Sequence, residues 1–169
     1  MPRYEAVVNV GKCGTKKEKC LIKKITFEDY ISAAKFLIEK KYTYKGGIIG
    51  YGGSAGGLLL GSVVNKSPEL FLGMIIQVVF LDSLTTNLDH SLPLTLGELT
   101  EFGDAKNNKE HFEYIKSYSP YHNIKKMDYC NLLLVTNLKD VRVIFDEPTK
   151  FTAKLIQFKT DKNLLLLKC

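Results

Sequence analysis

Tryptophan is absent, and histidine is limited to three residues, His90, His111 and His122. No apolar run approaches the roughly 20 residues that a membrane-spanning helix needs. The opening MPRYEAVVNVGKCG also lacks the apolar stretch of a signal peptide. These two absences predict a soluble, unexported, cytoplasmic protein without a membrane partner. Cysteine is sparse as well: Cys13, Cys20, Cys130 and Cys169 match neither a CxxC zinc pair nor a dense disulfide framework. Reduced thiols and no metal site are expected. Repeats, low-complexity tracts and linkers are missing. Acidic residues are outnumbered, giving a net charge of +6, but the lysines are scattered apart from a modest group at Lys12, Lys16, Lys17, Lys19, Lys23 and Lys24. No aromatic interleaving or nucleic-acid motif accompanies that group, so it reads as a solvated basic face and no nucleic acid is expected.

What is present suits one domain. At 169 residues and 45% hydrophobic content the chain can bury a real core. TFEDYISAAKFLIEKK predicts an amphipathic helix, with Thr26 as cap, Asp29 three residues on, and Phe27, Tyr30, Ile31, Ala34, Leu37 and Ile38 on one face. Ile48, Ile49 and Tyr51 form a short β run, and LLLGSVVN reads as a helix. Met74–Phe80 and Asn131–Thr136 are continuous apolar runs typical of strands buried on both faces. Pro148 suits the first turn of a helix in EPTKFTAKLIQFK, with Phe151, Leu155, Ile156 and Phe158 as core contacts. Leu164–Leu167 reads as a last strand. Strands alternating with helices predict an α/β fold, a parallel sheet covered by helices on both faces.

Between the first strand and the second helix lies Gly52-Gly53-Ser54-Ala55-Gly56. A Gly-x-Ser-x-Gly in a strand-to-helix turn has the setting that a nucleophile elbow requires. The turn is tight enough that flanking side chains would collide, and glycine relieves this. Ser54 is then held out at the carboxyl edge of the sheet. The Ala55 backbone N–H can face the oxyanion of a tetrahedral intermediate, helped by the positive end of the following helix. A phosphate-binding turn is the alternative, but neither GxGxxG nor GxxxxGK[ST] is spelled out.

GYGGSAGGLLLGSVVN, followed by VVFLDSLTTNLDHSLPLTLGELTEFGD and YIKSYSPYHNI, resembles the catalytic domain of the prolyl oligopeptidase family of serine peptidases, in its oligopeptidase B branch. The likeness runs from about Lys24 to Lys168, and residues 1–23 diverge. It implies an α/β-hydrolase fold, a β-propeller cap in the complete protein, hydrolysis of short basic peptides after Arg or Lys, and no cofactor. Residues 24–169 are expected to form an incomplete hydrolase domain.

The resemblance also implies roles. Ser54 matches the nucleophile. The acid, which orients the imidazole and stabilises its cation, is matched by Asp140. On the residues alone Asp146 is a close competitor, and the family likeness puts Asp140 ahead. Glu98, in PLTLGELTEFGD, matches an acid that receives the basic substrate side chain, a charge-assisted and potentially bidentate pairing. Thr100 stands where relatives often carry a second acid, which would weaken that preference.

The base is the missing member, because serine needs one to become a useful nucleophile. The order in this fold is Ser, Asp, His, yet all three histidines precede Asp140. His90 and His122 fall in motifs without a family catalytic residue, and His111 is expected on a helix surface. In the family the catalytic histidine follows the strand matched by NLLLLKC. The expectation is a partial catalytic domain with three readings: a serine peptidase fragment, a non-catalytic subunit completed by a second chain that brings propeller or histidine segment, or an inert remnant. A different α/β-hydrolase, such as an esterase, is the other enzyme class.

Overall fold

The computed structural model describes residues 20–92, 95–138 and 145–169. A single 3-10 turn, Cys20–Ile22, leads into helix α1 (Lys24–Glu39). The expected Thr26 cap does not form: Lys23 occupies the cap position and makes no side-chain capping bond, while Thr26 is buried inside the first turn. The helix can start earlier because the Tyr114 hydroxyl, from a later helix, accepts a hydrogen bond from the Lys24 N–H at 3.0 Å, satisfying one of the donors that every helix start leaves open. Phe27, Ile31 and Ala34 are buried as the periodicity predicts. Leu37 and Ile38, near the end, are only partly covered.

Strand β1 (Ile48–Ser54) runs straight into helix α2 (Ala55–Val64). Strand β2 (Phe71–Val79) follows and begins three residues before the expected Met74. Then come the short helices α3 (Ser83–Leu88), α4 (Thr95–Phe102) and α5 (Lys109–Lys116), strand β3 (Asn131–Val135), helix α6 (Asp146–Phe158) and strand β4 (Leu165–Lys168). All strand pairs are parallel, in the order β1-β2-β3-β4. Gly50, Met74, Leu132 and Leu165 share one register level, and Tyr51, Ile75, Leu133 and Leu166 the next.

Because side chains alternate along a strand, those two levels face opposite sides. Met74, Ile76, Leu132 and Leu134 point into the core with Leu58, Leu60 and Val63 of α2, Phe27 of α1, and Phe151 and Leu155 of α6. The other side is open. Ile49 is 60% exposed, Tyr51 66% and Leu166 50%, and Ile49 and Leu166 line a shallow apolar groove of about 260 Å³ with Leu72, Leu133 and Leu164. Among the described residues this second face is left exposed. The connecting helices that contribute to the core cluster join one shared core, and it lies on a single side of the sheet. Ile156, expected inside, points outward at 64% exposure, while Phe151 and Leu155 carry the buried stripe of α6. No described helix is long and apolar enough to cross a membrane.

Candidate active site

Parallel strands bring their carboxyl ends to one edge, and the site is built there. Gly53, Gln77 and Val135 share a level, and Ser54 pairs with Val79. Ser54 has φ 53 and ψ −120, a backbone conformation that costs a non-glycine residue about 1–3 kcal/mol. It is exposed, makes no capping bond to α2, and sits where strand becomes helix within one residue. The N–H of Ala55 is the first of α2, among the donors without an intrahelical partner. A Cβ at Gly52 would lie 2.8 Å from the Gly56 carbonyl oxygen, so only glycine lets the strand pass the helix. The other flank differs from expectation: a Cβ at Gly56 would meet nothing within 4 Å.

Beside Ser54 the β1–β2 register slips. Gly53 faces Gln77 and Ser54 faces Val79, leaving Val78 as an extra residue at φ 46. A bulge of this kind bends a strand and re-aims its end. The chain that follows is fastened from α6. Glu147, buried at 4% exposure, accepts hydrogen bonds from the N–H groups of Leu81 at 2.6 Å and Asp82 at 2.7 Å, and from the Thr86 hydroxyl. Burial pushes its carboxyl above the ordinary range, partly opposed by those donors. Sequence reasoning missed this anchor; its one visible sign was an acid just before a helix-opening proline, where the helix dipole favours it.

Asp82, also buried, caps α3 through the Thr85 N–H and pairs with the Lys150 ammonium at 2.5 Å. His122 Nδ1 lies 3.4 Å from Asp82 and 3.1 Å from the Ser119 hydroxyl. Ser119, His122 and Asp82 are not a second triad, because a relay needs serine and acid on opposite ring nitrogens and here both meet Nδ1. Burial lowers the His122 pKa, against the pull of Asp82.

The other histidines are engaged elsewhere. His111, expected on a helix surface, is half-buried there, and its Nδ1 accepts from the Asp104 N–H at 2.9 Å. His90 Nε2 stands 3.5 Å from Asp104. No hydrogen bond joins any of the three to Ser54 among the described residues. Asp140 lies outside the described residues. Asp146 is exposed in the first turn of α6, where it complements the helix dipole.

Glu98 is half-buried on α4, its carboxyl pushed up first by burial and then by the charge of Glu101. Glu101 is itself paired with Lys23, at 2.7 Å. No group of acids, histidines and cysteines among the described residues could hold a metal ion.

Comparison with known proteins gives this arrangement a family. Residues 16–169 match the Prolyl oligopeptidase family. Protease 2 of Moraxella lacunata is 46% identical over 146 residues, which are 86% of this chain and 21% of that protein. Dipeptidyl aminopeptidase BI of Pseudoxanthomonas mexicana is 37% identical, over 85% of this chain and 20% of its own. Among solved structures, oligopeptidase B from Leishmania major superposes with a TM-score of 0.86 at 43% identity, covering 89% of this chain and 21% of that one. The chain thus spans about a fifth of the length of the relatives it matches. With its parallel sheet, its strand-to-helix serine turn and these relatives, the chain belongs to the prolyl oligopeptidase family of serine peptidases and carries part of an α/β-hydrolase catalytic domain.

Proposed function

We propose that this chain supplies the nucleophile half of a peptidase that cleaves short peptides after Arg or Lys. Ser54 Oγ attacks the carbonyl carbon, the carbonyl π electrons move to oxygen, and the Ala55 N–H stabilises the resulting oxyanion. Collapse expels the amine, which takes up a proton, and leaves an acyl-enzyme that water then hydrolyses. Asp140 orients the imidazole that carries the protons. Among the described residues none of His90, His111 and His122 hydrogen-bonds to Ser54, their ring nitrogens being engaged by Asp104, Ser119 and Asp82, so the reading requires an imidazole from outside these residues, in the same polypeptide or in a partner. Glu98 receives the basic side chain: half-buried and raised in pKa, it gains most from a cationic ligand. The observation that carries the reading is the backbone of Ser54, an exposed serine held at positive φ between strand and helix.

The bare sheet face favours completion by a second chain or by further sequence, since parallel sheets are normally covered on both sides. A cytoplasmic setting accords with Cys130, which is buried and unpaired with its thiol pushed up to about 12. The test supplies the missing base chemically. The 169-residue chain is incubated with peptidyl diphenyl phosphonates bearing Arg, Lys or Leu beside phosphorus, with and without free imidazole. Modification should occur at Ser54, accelerate with imidazole and disappear in Ser54→Ala. Arg and Lys probes should react at least about tenfold faster than Leu, the effect of roughly 1.4 kcal/mol in the barrier. Modification unaffected by Ser54→Ala would overturn the nucleophile assignment. Equal rates for Arg and Leu would overturn the substrate class.

A further inference from the structure

Helix α4 carries two carboxylates, Glu98 and Glu101, three residues apart and therefore neighbours on its surface. They are treated differently. Lys23, just before α1, is 9% exposed; its ammonium lies 2.7 Å from Glu101 Oε1 and 5.1 Å from the centre of the Phe102 ring. An ammonium so far removed from water needs a partner. Glu101 cannot swing toward a ligand without leaving that charge uncompensated. Among the described residues no such cation pairs with Glu98, and Thr100 between the two acids is neutral.

We propose that Lys23 is a specificity-determining positioning residue: by holding Glu101, it leaves α4 presenting one carboxylate, Glu98, to a basic substrate side chain. This rests on the reading that Glu98 receives that side chain. A single carboxylate can pair with one guanidinium or one ammonium, whereas two free acids would form a site of doubled charge favouring ligands with several cationic groups. The clamp therefore tunes the pocket toward a single basic residue and keeps its discrimination between Arg and Lys modest.

The test follows the titration of Glu98 by carboxyl-carbon NMR in the 169-residue chain, with agmatine as the probe of cation binding. Lys23→Met frees Glu101, so the Glu98 midpoint should rise and agmatine should bind several-fold more tightly. Glu101→Gln leaves the Lys23 cation facing the site, so the midpoint should fall and binding weaken. The double variant Lys23→Met/Glu101→Gln carries a neutral pair and should return both readouts to near those of the parent. It also decides the matter if Lys23→Met alone fails to fold. A Glu98 midpoint unmoved by Glu101→Gln, or a double variant as far from the parent as the single ones, would overturn the clamp. Agmatine binding that is equal in the parent and in Glu98→Gln would instead remove the reading of Glu98 as receiver, and the specificity role with it.

Discussion

The two faces of the sheet share strands, composition and register, yet they differ in burial. On one side Met74, Ile76, Leu132 and Leu134 are at most 2% exposed, while on the other Ile49, Tyr51 and Leu166 are at least half exposed. Adjacent residues of one strand thus live in different solvents. An apolar run records that both faces of a strand are built for burial, but it does not say which covering element is nearby. The covered face also sets the chemistry, since α2 packs across β1 and β2 and the turn between β1 and α2 holds Ser54.

The comparison is broken most directly within β3. Leu134 is fully buried and its neighbour Leu133 only partly so. Leu134→Ala should cost about 2–5 kcal/mol through lost transfer energy and the cavity left behind, a large share of the roughly 5–15 kcal/mol that holds a typical domain together. Leu133→Ala should cost much less. Chemical denaturation of both variants reads the difference, and similar losses would show that the two faces are energetically alike.

Glu147 lies next in size. Glu147→Leu removes the acceptor for the Leu81 and Asp82 N–H groups and should cost about 1–3 kcal/mol for donors left buried and unpaired. Glu147→Gln should be tolerated, because its amide oxygen can accept from both N–H groups while its NH₂ donates to the Thr86 hydroxyl. The sign of the pH effect follows from burial. With its folded pKa raised, Glu147 binds its proton more tightly in the native state, so its contribution to stability is fully present below about 4.5, the unfolded value, and declines as pH rises through the folded one. Denaturation of the parent and Glu147→Gln between pH 4 and 8, about the range over which such a group titrates, should show that decline in the parent alone.

How much of this was legible beforehand depended on whether the signal was local. The elbow could be read because its glycines, its serine and its flanking elements are contiguous, and the strands because their apolar runs are unbroken. Thr26 misled because the helix begins two residues earlier, at Lys24, whose N–H is received by the Tyr114 hydroxyl, ninety residues away in sequence. Glu147 and Lys23 were opaque for the same reason: their partners, at Leu81, Asp82 and Glu101, are set by the fold. Ile156 shows the limit of listing apolar residues without fixing the helix phase. The role of Asp140 still rests on resemblance alone.

A smaller effect belongs to His122. Burial depresses its pKa, so the folded state resists the proton that the unfolded chain accepts. Its contribution is fully present above about pH 6.5, the unfolded value, and is lost as pH falls toward the folded pKa. Asp82, Lys116, Lys150 and Lys154 are the charges that act on it. His122→Gln should flatten the stability profile just below pH 6.5, about where an unperturbed histidine titrates, and leave it unchanged at neutral pH. An unaltered slope would show that the imidazole titrates as freely as in the unfolded chain.

The smallest change in stability should come from the open face, together with the clearest change in association. Leu166 is 50% exposed in β4, which lies at one edge of the sheet, and each leucine left in water forgoes roughly 1.5–3 kcal/mol of burial. An apolar face beside an unpaired strand edge promotes self-association. Leu166→Lys removes no core contact on the covered side, so thermal stability should stay within about 0.5 kcal/mol of the parent, as for other surface changes. On size-exclusion chromatography the parent should elute as oligomers or aggregates, and Leu166→Lys should move material toward the monomer. A parent that runs as a monodisperse monomer, or a Leu166→Lys variant that loses its cooperative melt, would mean that this face is already covered in the isolated chain and would erase the contrast between the two sides of the sheet.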